Sequence, residues 1–246
     1  MAVAYSTSTD GGYSSSGTTR TFSHTTSGSD NYTLVGSWTR SSGANAVTGV
    51  TYNGVAMTAL GTEITPASNS GTEYIRFWGL AVGTGVGSAN VVISCPTGME
   101  SIAFAISYTG CSQTGQPDAT SNQSQTTQTN TVCSITTVAD NSYAVVLARD
   151  AGGAGSAGTN ATFRVYGLSS SGTGCFDRGT LSPAGSYSLT VNHSSNPSGY
   201  QMVSIKPPSA STTHIKSADG ILLANIKSMD GIAIANIKSA SGIANS

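Results

Sequence analysis

Residues 50–60 read VTYNGVAMTAL, and this stretch carries the strongest local signal in the chain. Asn53-Gly54 separates two short runs in which apolar and polar side chains alternate, the pattern of half-buried strands. A type I′ turn needs positive φ at both central positions, which Asn and Gly tolerate best. The stretch therefore predicts a β-hairpin, and with it an all-β fold.

Similar strand-like segments recur on both sides of this hairpin. Apolar, β-branched and aromatic residues dominate them, and before residue 209 none shows the 3.6-residue period of a helix. About twelve short strands with Gly-rich turns favour a β-sandwich of the jelly-roll type. The clearest predicted strands are Thr19–Thr26, Tyr32–Thr39, Tyr74–Leu80, Ala89–Ser94, Ile102–Tyr108, Thr131–Thr137, Tyr143–Ala148, Thr162–Leu168, Tyr187–Asn192 and Gln201–Lys206.

The chain is predicted to have three parts. Residues 1–17 form a flexible N-terminal arm or an edge strand, residues 18–208 form the β-sandwich domain, and residues 209–246 form a repeat tail for assembly or attachment. Within the sandwich, residues 112–130 are almost devoid of apolar side chains and are expected to form a long polar loop. Residues 151–160 are expected to form a flexible Gly/Ala loop.

The composition narrows the function classes. Charged residues make up 9% of the chain, against roughly 25% in an ordinary soluble domain, so hydroxyls and amides must solvate the surface. No run approaches the ~20 apolar residues of a membrane span, and no basic cluster suggests nucleic-acid binding. All four lysines follow residue 205, which marks a boundary near Pro207-Pro208. Secreted β-rich proteins and virion proteins often have this composition.

The residues that usually carry chemistry form no recognisable motif. Glu63, Glu73, Glu100, Asp140, Asp150 and Asp177 show no spacing typical of a catalytic pair and are interpreted as surface or turn carboxylates, with Arg149-Asp150 and Asp177-Arg178 as local ion pairs at loop edges. Three histidines, His24, His193 and His214, match no metal motif. We therefore expect no enzyme activity, no metal site and no cofactor.

The four cysteines leave alternatives open. Cys95, Cys111, Cys133 and Cys175 match no C-x-x-C pattern, so metal ligation is the weakest interpretation. Buried small hydrophobic residues are favoured, and one or two disulfides remain an alternative.

Aromatic side chains are the better candidates for ligand binding, because exposed rings can stack on sugars. Trp78 lies inside an apolar strand and is expected to be a core residue. For Trp38, a core position and a surface position are both open. Tyr200, beside Asn196 and Pro197, is expected to be the most exposed. The candidate ligand-binding residues are Trp38, Tyr200 and Asp118 of the polar segment.

Several segments in order resemble a family of β-sandwich domains from phage virion proteins and bacterial surface proteins. They are the NYTLVG strand, the VTGVTYNGVAMT hairpin, the YIRFWGL strand, the ISYTGCSQT segment and the closing GYQMVSIKP strand, which together span roughly residues 16–208. The resemblance implies a concanavalin-like or jelly-roll fold, and it brings no catalytic motif. The tail also resembles repeats of the I-K-S-x-D-G-I type at the ends of some phage-like proteins.

The tail repeats one phrase every 11 residues: IKSADGILLAN from Ile215, IKSMDGIAIAN from Ile226 and IKSASGIANS from Ile237. In a β interpretation Ser-x-Asp-Gly forms turns between strands Ile221–Lys227 and Ile232–Lys238. In a helical interpretation the period gives one apolar stripe at about 3.67 residues per turn. One Gly per repeat, costing about 1 kcal/mol in a helix interior, favours β.

Three repeats with one apolar stripe cannot bury themselves well, so the tail is expected to bind other chains. Its assembly residues are Ile215, Leu222, Ile226, Ile232, Ile234 and Ile237. The first hypothesis is a structural display protein on a virion surface, a decoration, head-fibre or tail-fibre component. Its partners are sister copies in a homo-oligomer, with a trimer as one form, and other virion or surface proteins. The alternative is a lectin-like module at an extracellular or cell surface that binds a glycan.

Overall fold

The computed structural model describes residues 2–41, 47–66, 72–95, 99–153, 155–168, 172–209, 228–229 and 232–233. Every strand pairing in it is antiparallel, and the all-β prediction is confirmed. The strands are β1 Ala4–Ser14, β2 Thr19–Thr26, β3 Asn31–Ser41, β4 Gly49–Tyr52, β5 Val55–Ala56, β6 Thr58–Ala59, β7 Thr72–Gly83, β8 Gly87–Ser94, β9 Glu100–Thr109, β10 Ala119–Thr136, β11 Ser142–Asp150, β12 Ser156–Ala157, β13 Thr162–Leu168, β14 Thr173–Leu181, β15 Ser186–Ile205, β16 Ser228–Met229 and β17 Ile232–Ala233.

The hairpin at Asn53-Gly54 is confirmed. Tyr52 pairs with Val55 across the turn, and φ is 51° at Asn53 and 75° at Gly54. The two residue types that tolerate a left-handed backbone therefore occupy the two positions that require it.

Three sheets make up residues 1–208, which form one of the two compact units of the chain. Sheet I has the strand order β1-β9-β3-β7-β6, sheet II the order β2-β8-β4-β5, and sheet III the order β10-β15-β11-β14-β13, with β12 paired to β15. Sheets I and III pack face to face around one core, which includes Leu34 and Phe104 from sheet I and Val145 and Val203 from sheet III. This is the β-sandwich that the sequence predicts.

Sheet II covers the opposite face of sheet I. Val35 and Trp78 from sheet I pack there with Tyr52 and Ile93 from sheet II. Because successive side chains of a strand point to opposite faces, Leu34 and Val35 enter different cores. Trp38 and Trp78 are both core residues.

A third core covers the outer face of sheet III. Strands β10 and β15 form a long ribbon whose register shifts between Gln125 and Asn130. Beyond this shift, Cys133 and Val191 of the ribbon join Val146 and Met202 of sheet III in one apolar cluster. The ribbon therefore bends back over the sheet from which it starts, and the domain has four layers.

Sheet III differs from the sequence prediction in three places. Only residues 112–118 of the predicted polar loop lie outside a strand, because β10 begins at Ala119. The predicted strands Tyr187–Asn192 and Gln201–Lys206 belong to the single strand β15. Strand β14 was not predicted at all, since Gly174, Gly179 and a charged pair interrupt its apolar pattern. Backbone pairing holds three segments in strands although their side chains do not predict it: the polar part of β10, the link between the two predicted strands of β15, and β14.

The N-terminal segment forms an eleven-residue strand, β1, at the edge of sheet I. Most of its side chains are partly covered. Strand β12 lies in the segment that was expected to be a Gly/Ala loop.

Residues 209–246 form the second compact unit. Ser228 pairs with Ala233 and Met229 pairs with Ile232, so these four residues of the tail lie in β-strands. The sequence placed Ser228 and Met229 in the turn, whereas they lie in strand β16. Ile232 lies in β17, and the other proposed assembly residues, Ile215, Leu222, Ile226, Ile234 and Ile237, lie outside the described residues.

Close packing at Gly36 of β3 yields a first test. A Cβ added there would lie within 3.0 Å of three atoms of the Phe104 ring, whereas a Cβ at Gly49 would meet nothing within 4 Å. We expect Gly36→Ala to lower the free energy of unfolding by about 1–3 kcal/mol through overpacking. Gly49→Ala is the matched control and should change the free energy of unfolding by less than about 0.5 kcal/mol. Urea unfolding measures both, and equal effects would contradict this account of the core.

Burial of His24 yields a second test. Its Nδ1 lies 2.8 Å from Thr9 Oγ1 and its Nε2 lies 2.8 Å from Ser107 Oγ, and burial lowers the pKa of His24 from 6.5 to about 4. Between pH 6.5 and pH 4, His24 binds a proton in the unfolded chain but not in the folded chain. The free energy of unfolding therefore falls as the pH falls from 6.5 towards 4. The loss from this group is roughly 3 kcal/mol and is absent above pH 6.5.

The variant His24→Gln isolates this contribution. It should be less stable than the wild type at pH 7, and the difference between the two proteins should shrink by roughly 3 kcal/mol on acidification to pH 4. Urea unfolding at both pH values measures the difference. A difference that stays constant with pH would show that His24 titrates normally in the folded protein.

Candidate functional site

An ion pair between Glu73 and Arg149 joins the two sheets of the sandwich. Glu73 lies on β7 of sheet I and Arg149 on β11 of sheet III. Arg149 Nε lies 2.7 Å from Glu73 Oε2, Arg149 Nη2 lies 2.8 Å from Glu73 Oε1, and the two side chains are 5% and 1% exposed. Such a bidentate geometry satisfies both charges inside the protein.

Trp38 belongs to the same cluster. Its Nε1 donates a hydrogen bond of 2.9 Å to Glu73 Oε2, and the Arg149 guanidinium lies 5.1 Å from the centre of its ring. With 2% of its surface exposed, Trp38 has no free face on which a sugar could stack. Its indole orients the carboxylate of Glu73 instead.

A second ion pair lies at the rim of this cluster. Arg40 Nη2 is 2.6 Å from Glu100 Oε2, and about a third of each side chain is exposed, 33% and 29%. Arg40 also lies 5.7 Å from the centre of the Trp38 ring. The hydrogen-bonded carboxylate of Glu100 raises the pKa of Arg40. This pair is accessible to solvent, whereas the Glu73–Arg149 pair is not.

Next to Arg149, a cluster of hydroxyl, imidazole and carboxylate groups lies where the ribbon bends. His193 Nε2 is 2.6 Å from Thr131 Oγ1, and His193 Nδ1 is 4.0 Å from Asp150 Oδ1. Thr131 Oγ1 also lies 3.2 Å from Ser198 Oγ and donates to Gln125 Oε1 at 3.0 Å. We call Gln125, Thr131, Asp150, His193 and Ser198 the bend cluster.

In the bend cluster, Thr131, His193 and Asp150 follow one another in the hydroxyl–imidazole–carboxylate order of nucleophilic triads. The positions of the histidines in the sequence did not predict this arrangement. Thr131 and Ser198 are each 2% exposed, and the adjacent cavity measures about 10 Å³. A cavity of that size holds one water molecule and no organic substrate. Asp150 Oδ2 is buried beside it without a hydrogen-bond partner among the described residues. The geometry therefore favours a hydrated structural network that fixes the bend of the ribbon.

The sequence was wrong about the exposure of Tyr200. It is 4% exposed and packs under the returning half of the ribbon, with Cys133 and Met202 in the same core. The flanking Asn and Pro residues suggested a loop, but Tyr200 lies inside β15, where it pairs with Gln123 and Ala148.

Asp118, the third candidate for ligand binding, organises a turn. Its carboxylate accepts hydrogen bonds from the backbone N–H groups of Val138, at 2.8 Å, and Ala139, at 3.1 Å. The hydroxyls of Ser142 and Ser204 also lie within 3.2 Å of it. These bonds tie the start of β10 to the start of β11. The structure thus places Trp38, Tyr200 and Asp118 in three separate environments.

The acidic residues are also placed differently from the sequence interpretation. Glu73, Asp150 and Asp177 are all less than 5% exposed, so they are not surface carboxylates. Asp177 lies in the middle of β14 and accepts bonds from Arg164, at 2.5 Å, and Tyr108, at 3.1 Å. Burial raises the pKa of Asp177, and these donors offset part of that effect.

A signal for these buried charges was present in the sequence. The segment EYIRFWGL places Glu73 at the start of an apolar run, and YAVVLARD places Arg149 and Asp150 at the end of one. In a chain with so few charges, a charge in such a run must be paired when the strand is buried. The partner strands could not be identified, since they are distant in sequence.

The four cysteines are free and buried, in keeping with the favoured interpretation. Burial raises the pKa of Cys111 to about 12 and that of Cys133 and Cys175 well above the usual value. Thiolates are therefore disfavoured at these sites.

One open groove lies between the two halves of the ribbon and has a volume of about 350 Å³. Its lining is mostly hydroxyl groups: Thr120, Ser121, Ser134, Ile135, Thr136 and Ser186.

Within the described part of the chain, no group of three or more His, Cys, Asp or Glu residues is arranged to hold a metal ion. The described residues also contain no helix with the length and hydrophobicity needed to span a membrane. No family model, no curated protein and no solved structure matches this chain.

The Glu73–Arg149 pair yields a third test. Glu73→Gln leaves the Arg149 charge buried without its counterion and should lower the free energy of unfolding by about 3–5 kcal/mol. Glu100→Gln, in the partly exposed Arg40–Glu100 pair, is the matched control and should lower the free energy of unfolding by less than about 1 kcal/mol. Urea unfolding followed by tryptophan fluorescence measures both variants. If the two substitutions cost the same, the buried pair is not the main support of this end of the sandwich.

Proposed function

We propose that this chain is a structural display protein of a virion surface, with a β domain that is presented outward and a repeat tail that joins sister copies or docks to another virion protein. The observation that carries this proposal is the division of the chain into residues 1–208 and residues 209–246. The first unit has three apolar cores of its own. The second is 38 residues long, below the size at which a single chain usually folds unaided.

The distribution of charge supports the same proposal. Several of the few charged groups of the β domain are used inside it, as in the Glu73–Arg149 and Asp177–Arg164 pairs. Its exposed strand positions are largely Ser, Thr, Asn and Gln. A neutral, hydroxyl-rich exterior over a multilayered core suits a domain whose task is to remain folded outside the cell. The resemblance to phage virion and bacterial surface domains points in the same direction.

The alternative, a lectin-like module, now depends on a different site. Trp38 and Tyr200 are buried, so neither can stack on a sugar. The hydroxyl-lined groove beside Thr120 and Ser134 is the feature that favours glycan binding, because hydroxyls can pair with those of a sugar. A glycan array would support this alternative if binding were saturable and lost in Ser134→Val, with Ser23→Val on an exposed strand of sheet II as the control.

Removal of the tail tests the assembly proposal. A chain ending at Pro208 should keep the free energy of unfolding of the β domain, because its cores lie within residues 1–208. In sedimentation, the truncated chain should form a smaller oligomer than the full chain. Its association with the virion should be lost. The full chain with Ile226→Ser and Ile237→Ser should behave similarly, while Lys227→Ser should not. An unchanged mass and unchanged association after truncation would contradict the assembly role of the tail.

A further inference from the structure

Strand β10 forms an unusually uniform sheet edge. It lies at the end of sheet III, and its 18 residues, Ala119–Thr136, include no charged residue, no proline and no glycine. Among the described residues, only β15 pairs with it. Alternate residues of an edge strand direct backbone N–H and C=O groups away from the sheet, so such an edge can pair with a further strand.

The other sheet edges in the described part of the chain carry features that hinder such pairing. Strands β5 and β6 are two residues long. Strand β1 has irregularities at Tyr5/Thr7 and Asp10/Tyr13, and β13 has them at Phe163/Val165 and Tyr166/Leu168. Strand β2 contains the charged residue Arg20. Short length, bulges and charge are the usual means by which proteins block edge pairing.

The first half of β10 has none of these features. From Ala119 to Gln125 it pairs with β15 in continuous register, without a bulge. Thr120, Asn122 and Gln123 are exposed. Thr120 and Ser121 point to opposite faces of the sheet, yet both line the open groove of about 350 Å³. Ser134, Ile135 and Thr136 of the returning half of β10 also line this groove, so it opens between the two halves at the β10 edge.

We propose that residues 119–125 of two copies of this chain pair in antiparallel orientation across a two-fold axis, which joins their two copies of sheet III into one continuous sheet. A strand without charge can face itself without repulsion, whereas a charged strand would meet its own charge in an isologous contact. Amide and hydroxyl side chains are self-complementary, because each both donates and accepts.

The register follows from symmetry. Pairing is longest when the two-fold axis passes through Asn122, the midpoint of the regular segment. Asn122 then faces Asn122 of the second copy, and Ser121 faces Gln123 of the second copy. Opposed side chains in an antiparallel pair lie about 4.5–5.5 Å apart at Cβ, within range for a direct charge effect.

Charge substitution at Asn122 in the full-length chain tests this register. Asn122→Lys alone and Asn122→Asp alone should each weaken the dimer several-fold, because like charges then face one another across the axis. An equimolar mixture of the two variants should restore dimerisation to at least the wild-type level, through Lys–Asp pairs. Sedimentation measures the mass, and isotope-labelled native mass spectrometry identifies the mixed dimer.

Thr21→Lys and Thr21→Asp on the edge strand β2 are the matched controls and should leave the mass unchanged. A wild-type chain without a dimeric step, or Asn122 variants with wild-type mass, would overturn the proposal. Loss of pairing in both variants without recovery in the mixture would also overturn it, because the edge would then meet something other than its own copy. This contact does not involve the tail, so it should persist in the chain ending at Pro208, and the two proposals can fail independently.

Discussion

Sheets I and III are each covered on both faces, and this double burial governs the rest of the structure. Every residue of β11 is buried, and in β9 all but the two terminal residues are. Such strands cannot alternate between apolar and polar residues as in a simple sandwich, so they appear in the sequence as continuous apolar runs. The two outer layers, sheet II and the returning half of the ribbon, supply the additional cover.

Double burial also explains where the charges lie. Charged residues in central strands have no route to solvent, so they must find a partner inside the domain. Glu73 and Arg149 meet across the sandwich, and Asp177 meets Arg164 on the neighbouring strand β13. A chain that is poor in charge thus uses several of its charged groups as internal pairs. Its edges are then protected mainly by bulges and short strands, and β10 is left without either protection along Ala119–Gln125.

The proposed functions draw on two different parts of the chain. One is the tail, a separate unit of 38 residues, and the other is the β10 edge, which among the described residues is paired only with β15. Neither depends on a catalytic centre, and the most enzyme-like arrangement, the bend cluster, encloses space for one water molecule.

The sequence by itself determined the local structure that side-chain pattern and turn chemistry control. It predicted the Asn53-Gly54 hairpin, the burial of Trp78 and the all-β class, because alternation and positive-φ residues act within a few positions. It could not predict that residues 119–130 form a strand, since their order comes from backbone bonds to β15 and not from apolar side chains. Tertiary structure alone decided the burial of Tyr200, the pairing of Glu73 with Arg149 and the meeting of Thr131, His193 and Asp150. These contacts join residues far apart in the chain, and only the bending of the ribbon and the stacking of the sheets bring them together.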